Sequence, residues 1–258
     1  MKKIATAERI SERDASDNYV FQRSLLAYRR AAELVSGDVL EIGTGTGYGI
    51  PLLASRVKSL LTVDKYMPPI DLVPHNNVEF RQMTASSLGN LAAESFDCVV
   101  TFQVIEHIRN DVAFVHGIER LLKPGGVLIL STPNRLMSLT RNPWHVREYT
   151  AEELKSLLGS FFAWIEAEGV FGNDRVMDYY EKNKRAVERI TRFDPLGLQH
   201  RLPRRMLQIP YDILNRRNRR KLLIENHTLT AGITADDYAF GPAGDSCFDL
   251  FYIARKRA

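Results

Sequence analysis

The sequence predicts an α/β protein: a doubly wound, mostly parallel sheet of seven strands, with a basic, largely helical insertion before the last strand. Three observations carry this reading. Short apolar runs alternate with amphipathic segments from about residue 20 to residue 170. The first run ends in a glycine-rich turn, Gly43-Thr44-Gly45-Thr46-Gly47-Tyr48-Gly49. A markedly basic stretch, Arg175 to Lys221, is followed by one more apolar run, Cys247–Ala254. Each strand and helix must bury an apolar face, and parallel strands joined by right-handed crossovers achieve this with helices on both sides of one sheet.

In chain order, an N-terminal helical segment (1–36) includes Ser24–Ser36, whose apolar residues recur at helical spacing. The core (37–170) holds candidate strands at Val39–Ile42, Leu60–Val63, Val78–Arg81, Phe96–Thr101, Val127–Ser131 and Trp164–Val170. Most are too short for helices, and several end in Gly, Asp or Pro turn signals. Between them, Asp111–Leu122 places Phe114, Ile118 and Leu121 or Leu122 on one helical face, and Lys123-Pro124-Gly125-Gly126 stops it. Thr150-Ala151-Glu152-Glu153 has the pattern of a capping box ahead of Leu154, Leu157 and Leu158. The insertion (171–246) carries Arg204-Arg205, Arg216-Arg217 and Arg219-Arg220-Lys221. Interleaved apolar residues such as Met206, Ile209 and Ile213 argue against a disordered tail. The final strand and tail occupy 247–258.

With 258 residues, 45% apolar and 26% charged, the composition is that of an ordinary globular protein with a sizeable core. The two cysteines, Cys98 and Cys247, lack metal-ligand spacing and read as buried thiols of a reducing compartment. Lys2 and Lys3 are followed by Glu8, Arg9, Glu12 and Arg13 rather than an apolar stretch, which argues against a secretory signal. No apolar run approaches the ~20 residues that span a bilayer, so a cytoplasmic location is expected. A net charge of +4 is low for an enzyme of RNA, and no nucleic-acid partner is expected.

The strongest chemical signal is Val39-Leu40-Glu41-Ile42-Gly43-Thr44-Gly45-Thr46-Gly47-Tyr48-Gly49: a strand, a glycine turn, and a helix beginning near Gly49. Glycines there let a ligand approach the backbone at a helix start. The spacing departs from the dinucleotide pattern G-x-G-x-x-G, because Tyr48 stands where its third glycine would be. Glu41 is also an unsuitable neighbour for a pyrophosphate and a better one for a cation, such as the sulfonium and ammonium of S-adenosylmethionine. Asp64, ending the second strand, is placed to accept from both ribose hydroxyls.

Two further stretches join these: Ser95–Ile108, which reads Ser-Phe-Asp-Cys-Val-Val-Thr-Phe-Gln-Val-Ile-Glu-His-Ile, and Leu121–Asn134, which reads Leu-Leu-Lys-Pro-Gly-Gly-Val-Leu-Ile-Leu-Ser-Thr-Pro-Asn. On these residues the chain resembles the class I S-adenosylmethionine-dependent methyltransferases, with a Rossmann-like fold. The resemblance lies in the broad small-molecule group that includes the ubiquinone-biosynthesis O-methyltransferases, and it covers roughly residues 20–170 plus the last strand. It implies that Glu41, Gly43, Gly45 and Gly47 surround the methionine part of the cofactor. Asp64 would bind the ribose, and Tyr66 or Met67 would flank the adenine. Thr84 and Ala85 stand at the adenine site where relatives often have Asp, and Gln103 would close the cofactor site. Some relatives bind a divalent ion through Glu-x-x-Glu-His plus a later His. Here Gln103 replaces the first Glu, leaving Glu106, His107 and His145, so no metal is expected.

His107 and His145 are the candidate general bases, and Arg147 and Tyr149 candidate acceptor contacts. The expected reaction is methylation of a small-molecule or glycan acceptor, most readily on oxygen. The alternatives are N-methylation of an amino sugar and a non-catalytic S-adenosylmethionine-binding accessory protein. A nicotinamide dehydrogenase is disfavoured by Tyr48 and Glu41. The insertion's arginines suggest an anionic acceptor or peripheral contact with an anionic membrane. Neutralising Arg216, Arg217, Arg219 and Arg220 is accordingly expected to affect the acceptor and leave cofactor binding alone.

Overall fold

The computed structural model describes residues 9–69, 75–192 and 201–258. Its described strands form one sheet of eight: β1 (Asp38–Ile42), β2 (Ser59–Asp64), β3 (Val78–Gln82), β4 (Phe96–Phe102), β5 (Leu122–Pro133), β6 (Trp164–Gly172), β7 (Tyr238–Pro242) and β8 (Asp249–Arg255). The spatial order is β3-β2-β1-β4-β5-β8-β6-β7. Strands β1 to β5 pair in parallel, and β8 runs antiparallel between β5 and β6. The doubly wound architecture is therefore as expected, but the count of seven strands is corrected to eight. The additional strand, β7, pairs antiparallel with β6 at the edge of the sheet. Its Tyr-Ala-Phe-Gly-Pro run is short and ends in two turn-forming residues, and a proline is tolerated there because one side of an edge strand needs no ladder donors.

Side-chain alternation along the strands builds two cores. Leu40, Ile42, Val99, Leu128, Leu130 and Tyr252 face α3 (Asp111–Leu121) and α4 (Ala151–Gly159). Val39, Cys98, Val100, Ile129, Phe251 and Ile253 face α1 (Asn18–Leu34) and α2 (Ile50–Ala54). Cys98 and Cys247 are buried and unpaired. The capping box forms at the start of α4, where Thr150 Oγ1 accepts from Glu153 N at 3.3 Å and Thr150 N donates to Glu153 Oε2 at 2.9 Å. Helix α1 begins at Asn18, ahead of the expected Ser24, because its first turn carries Tyr19 and Phe21 into buried positions.

The insertion between β6 and β8 comprises α5 (Asp174–Thr191), α6 (Arg204–Glu225), α7 (His227–Gly232) and β7. It is packed onto the domain through a third apolar cluster, in which Val176, Tyr179, Leu222, Ile233 and Tyr238 meet Tyr19 of α1. The Tyr19 and Tyr179 rings stack at 4.3 Å. Among the described residues no helix is long and apolar enough to cross a membrane.

Candidate active site

Strand order reverses between β1 and β4, and a crevice opens there at the carboxyl ends of the parallel strands. It is a cleft of about 1780 Å³, lined by the glycine loop and Asp64 at one end and by His107, His145 and residues of α5 and α6 at the other.

At the loop, Gly43 and Gly45 line the cleft and adopt φ of 98° and 60°. A Cβ on Gly43 would lie 2.4 Å from Val104, whereas one on Gly45 would meet nothing within 4 Å among the described residues. Gly47 does not line the cleft; its N–H bonds to Thr44 O at 2.9 Å and closes the turn from behind. Glu41 is likewise behind the loop. It is buried, accepts from Tyr28 Oη at 2.6 Å and also accepts from Thr62 Oγ1. Burial pushes its carboxyl above the ordinary range, against the lowering effect of those two hydrogen bonds. Thr62 in turn bonds Thr44 Oγ1 at 2.6 Å, so Glu41 ties the loop to β2 and to α1. It reaches the cleft only through its partner Tyr28, which does line it.

Asp64 projects from the end of β2. Its Oδ2 accepts from Gly45 N at 2.9 Å and its Oδ1 from Tyr66 N at 2.8 Å. Thr84 and Ala85 line the cleft beyond it, and Thr84 Oγ1 shares hydrogen bonds with Ser86 Oγ at 2.9 Å and Ser87 Oγ at 3.0 Å. A small cluster of hydroxyls thus stands at this part of the cleft. Gln103 lines the cleft in the left-handed region, φ 56°, and its side chain bonds Asp249. Asp249 pairs with Arg23 at 2.7 Å, and burial raises its carboxyl above the usual range despite that pairing.

A strap formed by residues 9–17 crosses the same end of the cleft. The Arg9 guanidinium lies 3.4 Å from Asp64 Oδ1 and 4.8 Å from the centre of the Tyr66 ring, and Ile10 O accepts from Thr46 Oγ1 at 3.3 Å. The strap is latched from α6. Asp17, with a fully buried side chain, accepts from Arg216 Nη1 at 2.6 Å and from Arg219 Nη1 at 2.8 Å, and Arg216 Nη2 donates to Arg9 O at 2.9 Å. This overturns the expectation that the four arginines act as one acceptor-facing group. Arg216 and Arg219 point inward to a buried carboxylate at the root of the strap, and only Arg217 and Arg220 of the four are exposed.

At the other end, the loop 134–149 folds against the turn Ile105–His107. Glu106 O accepts from Val146 N at 2.6 Å, and the buried Glu106 carboxylate accepts from Thr132 Oγ1 at 2.9 Å. Burial raises the Glu106 carboxyl above the ordinary range, while His107 and His145 beside it act in the opposite direction. His145 Nδ1 lies 2.6 Å from Glu148 Oε1, and its Nε2 lies 2.9 Å from Asn142 Nδ2. Asn142 Oδ1 accepts from Trp144 N at 3.0 Å, which directs the amide NH₂ toward the imidazole. In the neutral tautomer that carries its proton on Nδ1, the ring donates to Glu148 and Nε2 accepts from the Asn142 amide. His107 Nδ1 faces Trp144 O at 3.1 Å, and the two imidazole rings lie 5.0 Å apart. Among the described residues, Glu106, His107 and His145 bring ligand atoms within 4.8 Å of one another.

The structure therefore gathers Gly43, Gly45, Asp64, Thr84, Ala85, Gln103, His107 and His145 around one cleft and sets Glu41 and Gly47 behind it. Arg147 and Tyr149 do not line it. Arg147 pairs with Asp111 at 3.0 Å and lies over the Tyr149 ring, and Tyr149 Oη donates to the same carboxylate at 2.7 Å, so both fasten the loop to α3. Sequence reasoning did not identify Glu148, although its spacing of three from His145 in one loop was a usable signal. It also missed Asp17, for which no local signal exists: its partners lie 199 and 202 residues away.

The methyltransferase domain family matches residues 15–162. A protein of Mycolicibacterium smegmatis, named as an S-adenosylmethionine-dependent methyltransferase, is 38% identical over 175 residues, covering 65% of this chain and 67% of its own. One so named from Mycobacterium tuberculosis is 37% identical over 171 residues, covering 63% of this chain and 62% of its own. The ubiquinone biosynthesis O-methyltransferase of Pseudomonas fluorescens is 31% identical over 108 residues, and the chain spans only 47% of its length. Among solved structures, an S-adenosylmethionine-dependent methyltransferase of Thermotoga maritima superposes with a TM-score of 0.57 at 15% identity, covering 93% of this chain and 92% of that one. The [4+2]-cyclase SpnF superposes with a TM-score of 0.54 at 16% identity, covering 92% and 81%. At such identities the likeness is one of fold, and the two names show that this fold hosts more than one chemistry.

Proposed function

Since the chain belongs to the methyltransferase domain family, with S-adenosylmethionine as its cofactor, we propose that it methylates an oxygen of a small-molecule or glycan acceptor, with His145 and Glu148 as the base. The observation that carries this is the sharing of one cleft by the cofactor end and the Glu148–His145 pair. The residues at the cofactor end fit the ligand. Asp64 stands at the strand end where a carboxylate can accept from the ribose hydroxyls, Gly45 leaves open space beside the loop, and Thr84 offers its hydroxyl at the adenine end. Bound there, the cofactor supplies a methyl group already activated on sulfur, so the protein's task is positioning and proton removal.

His145 is suited to that removal. Glu148 holds the Nδ1 proton and fixes the ring, and the Nε2 lone pair takes the acceptor's hydroxyl proton once Asn142 gives way to it. His107, beside it, lines the acceptor pocket.

Radiolabelled methyl transfer into fractionated cell extract tests the proposal. Product carrying an O-methyl group, formed by wild type and reduced at least roughly 100-fold by His145→Ala, is the expected result. The pH dependence of the rate should also differ between wild type and the variant, which lacks the base. An N-methyl product would shift the reading to an amino acceptor. Tight S-adenosylhomocysteine binding with no labelled product in any fraction would favour the accessory role.

A further inference from the structure

Helix α6 has two faces of opposite character. Its inner face holds Asp212, which accepts from Trp144 Nε1 at 3.0 Å, together with Arg216, Arg219 and the buried Leu222. At 100° per residue, Met206, Ile209, Ile213, Arg217, Arg220 and Ile224 fall within an arc of about 80°, adjacent to the arc of about 120° that runs from Leu222 to Arg216. All six are exposed, Ile209 at 64% and Ile224 at 80% of their surface. Isolated exposed apolar residues are ordinary, but four in one stripe on one helix are not.

The charges along this stripe are of one sign. Arg205 and Lys221 flank it and are exposed, and the one acid of the outer side is Glu225 at the helix end, 3.6 Å from Lys221. The apolar residues occupy the first half of the helix and the cations the second, with Ile224 beyond them. A cationic, aliphatic stripe of this kind matches a surface that is negative at its boundary and apolar beneath it. A protein partner complementary to it would need both an acidic and an apolar strip, whereas a bilayer containing anionic lipid offers both at every point.

We infer that the outer face of α6, built from Met206, Ile209, Ile213, Arg217, Arg220 and Ile224, docks on an anionic lipid bilayer. The same helix lines the acceptor end of the cleft with Leu207, Pro210, Tyr211 and Leu214, so docking sets the mouth of that cleft at the lipid surface. On the reading of the site as a methyltransferase, the acceptor class this favours is an amphiphile whose polar part enters while its apolar part stays in the bilayer.

Vesicle flotation with the full chain tests the docking independently of turnover. Vesicles of phosphatidylcholine with about 30% phosphatidylglycerol should carry wild type, and pure phosphatidylcholine should not. Arg217→Gln with Arg220→Gln should weaken the association by about 30-fold, at about fivefold per cation, and raised salt should do the same to wild type. Ile209→Ser with Ile213→Ser should abolish flotation while leaving the melting temperature and S-adenosylhomocysteine affinity as in wild type. Absence of flotation, flotation equal on neutral vesicles, or flotation unaffected by both variants would overturn the inference. So would a wild-type dimer that Ile209→Ser with Ile213→Ser converts to monomer, since the stripe would then serve a second copy. Methyl transfer to a water-soluble acceptor that persists when flotation fails would leave the enzymatic proposal standing.

Discussion

Replacing Asp17 by Asn leaves two guanidinium groups, those of Arg216 and Arg219, facing a buried site without their shared counter-charge. The arginines are only 12% and 17% exposed, so solvent can do little to compensate. Removing one member of a buried ion pair costs about 3–5 kcal/mol. The lower end applies here, because Asp14 Oδ2 remains 3.7 Å from Arg216 and the Arg9 carbonyl still accepts from it. A loss of about 3 kcal/mol corresponds, for a chain of this length, to a fall in melting temperature of roughly 6–12 °C. The strap should loosen as well, so association and dissociation of S-adenosylhomocysteine should both speed up in stopped-flow measurements. Arg217→Gln with Arg220→Gln, on the exposed side of the same helix, should stay within about 0.5 kcal/mol of wild type. An Asp17→Asn protein that melts with wild type, or a control pair that falls as far, would refute the latch.

Asp64→Ala should weaken S-adenosylhomocysteine binding by about 1.5–3 kcal/mol in calorimetry, the worth of hydrogen bonds to a charged acceptor; unchanged affinity would remove Asp64 from the site. Chelator should leave turnover unchanged, because Glu106 is buried with its carboxyl raised and Gln103 is neutral; loss of activity restored by Mn²⁺ would show that Glu106, His107 and His145 hold an ion. The Glu153 carboxyl is held below its ordinary value, first by the Thr150 N–H and also by Arg135. Its contribution to stability is therefore complete above the unfolded carboxylate range and lost as pH falls through the lowered folded value. Melting curves of Glu153→Gln should accordingly lie below wild type at neutral pH and converge with it in acid.

How far the site could be read from the chain depended on the range of each interaction. That the glycine loop, Asp64 and the histidines line one cleft was legible because a strand, a turn and a strand end are set by neighbours a few residues away, and the carboxyl edge of a parallel sheet then brings them together. Glu41 belongs to the same motif, yet its side was not legible. Alternation along β1 turns it toward α1, and Tyr28 of that helix and Thr62 of β2 take one carboxylate oxygen each. Strand β7 escaped for a different reason: five residues ending in Gly-Pro carry no period, and only β6 beside them makes a strand of them.

By itself the sequence determined the alternation of strands and helices, the glycine loop and the acid at the ends of the first two strands, and the presence of a basic, partly apolar segment, since all of these follow from local periodicity and turn chemistry. Only the tertiary structure decided what the charges of that segment do. Arg216 and Arg217 are adjacent and chemically identical, but a 100° step along α6 sends one to Asp17 and leaves the other in solvent. Which face of a helix meets a carboxylate 199 residues away is set by how the insertion folds back over the N-terminal strap, and no local pattern encodes it.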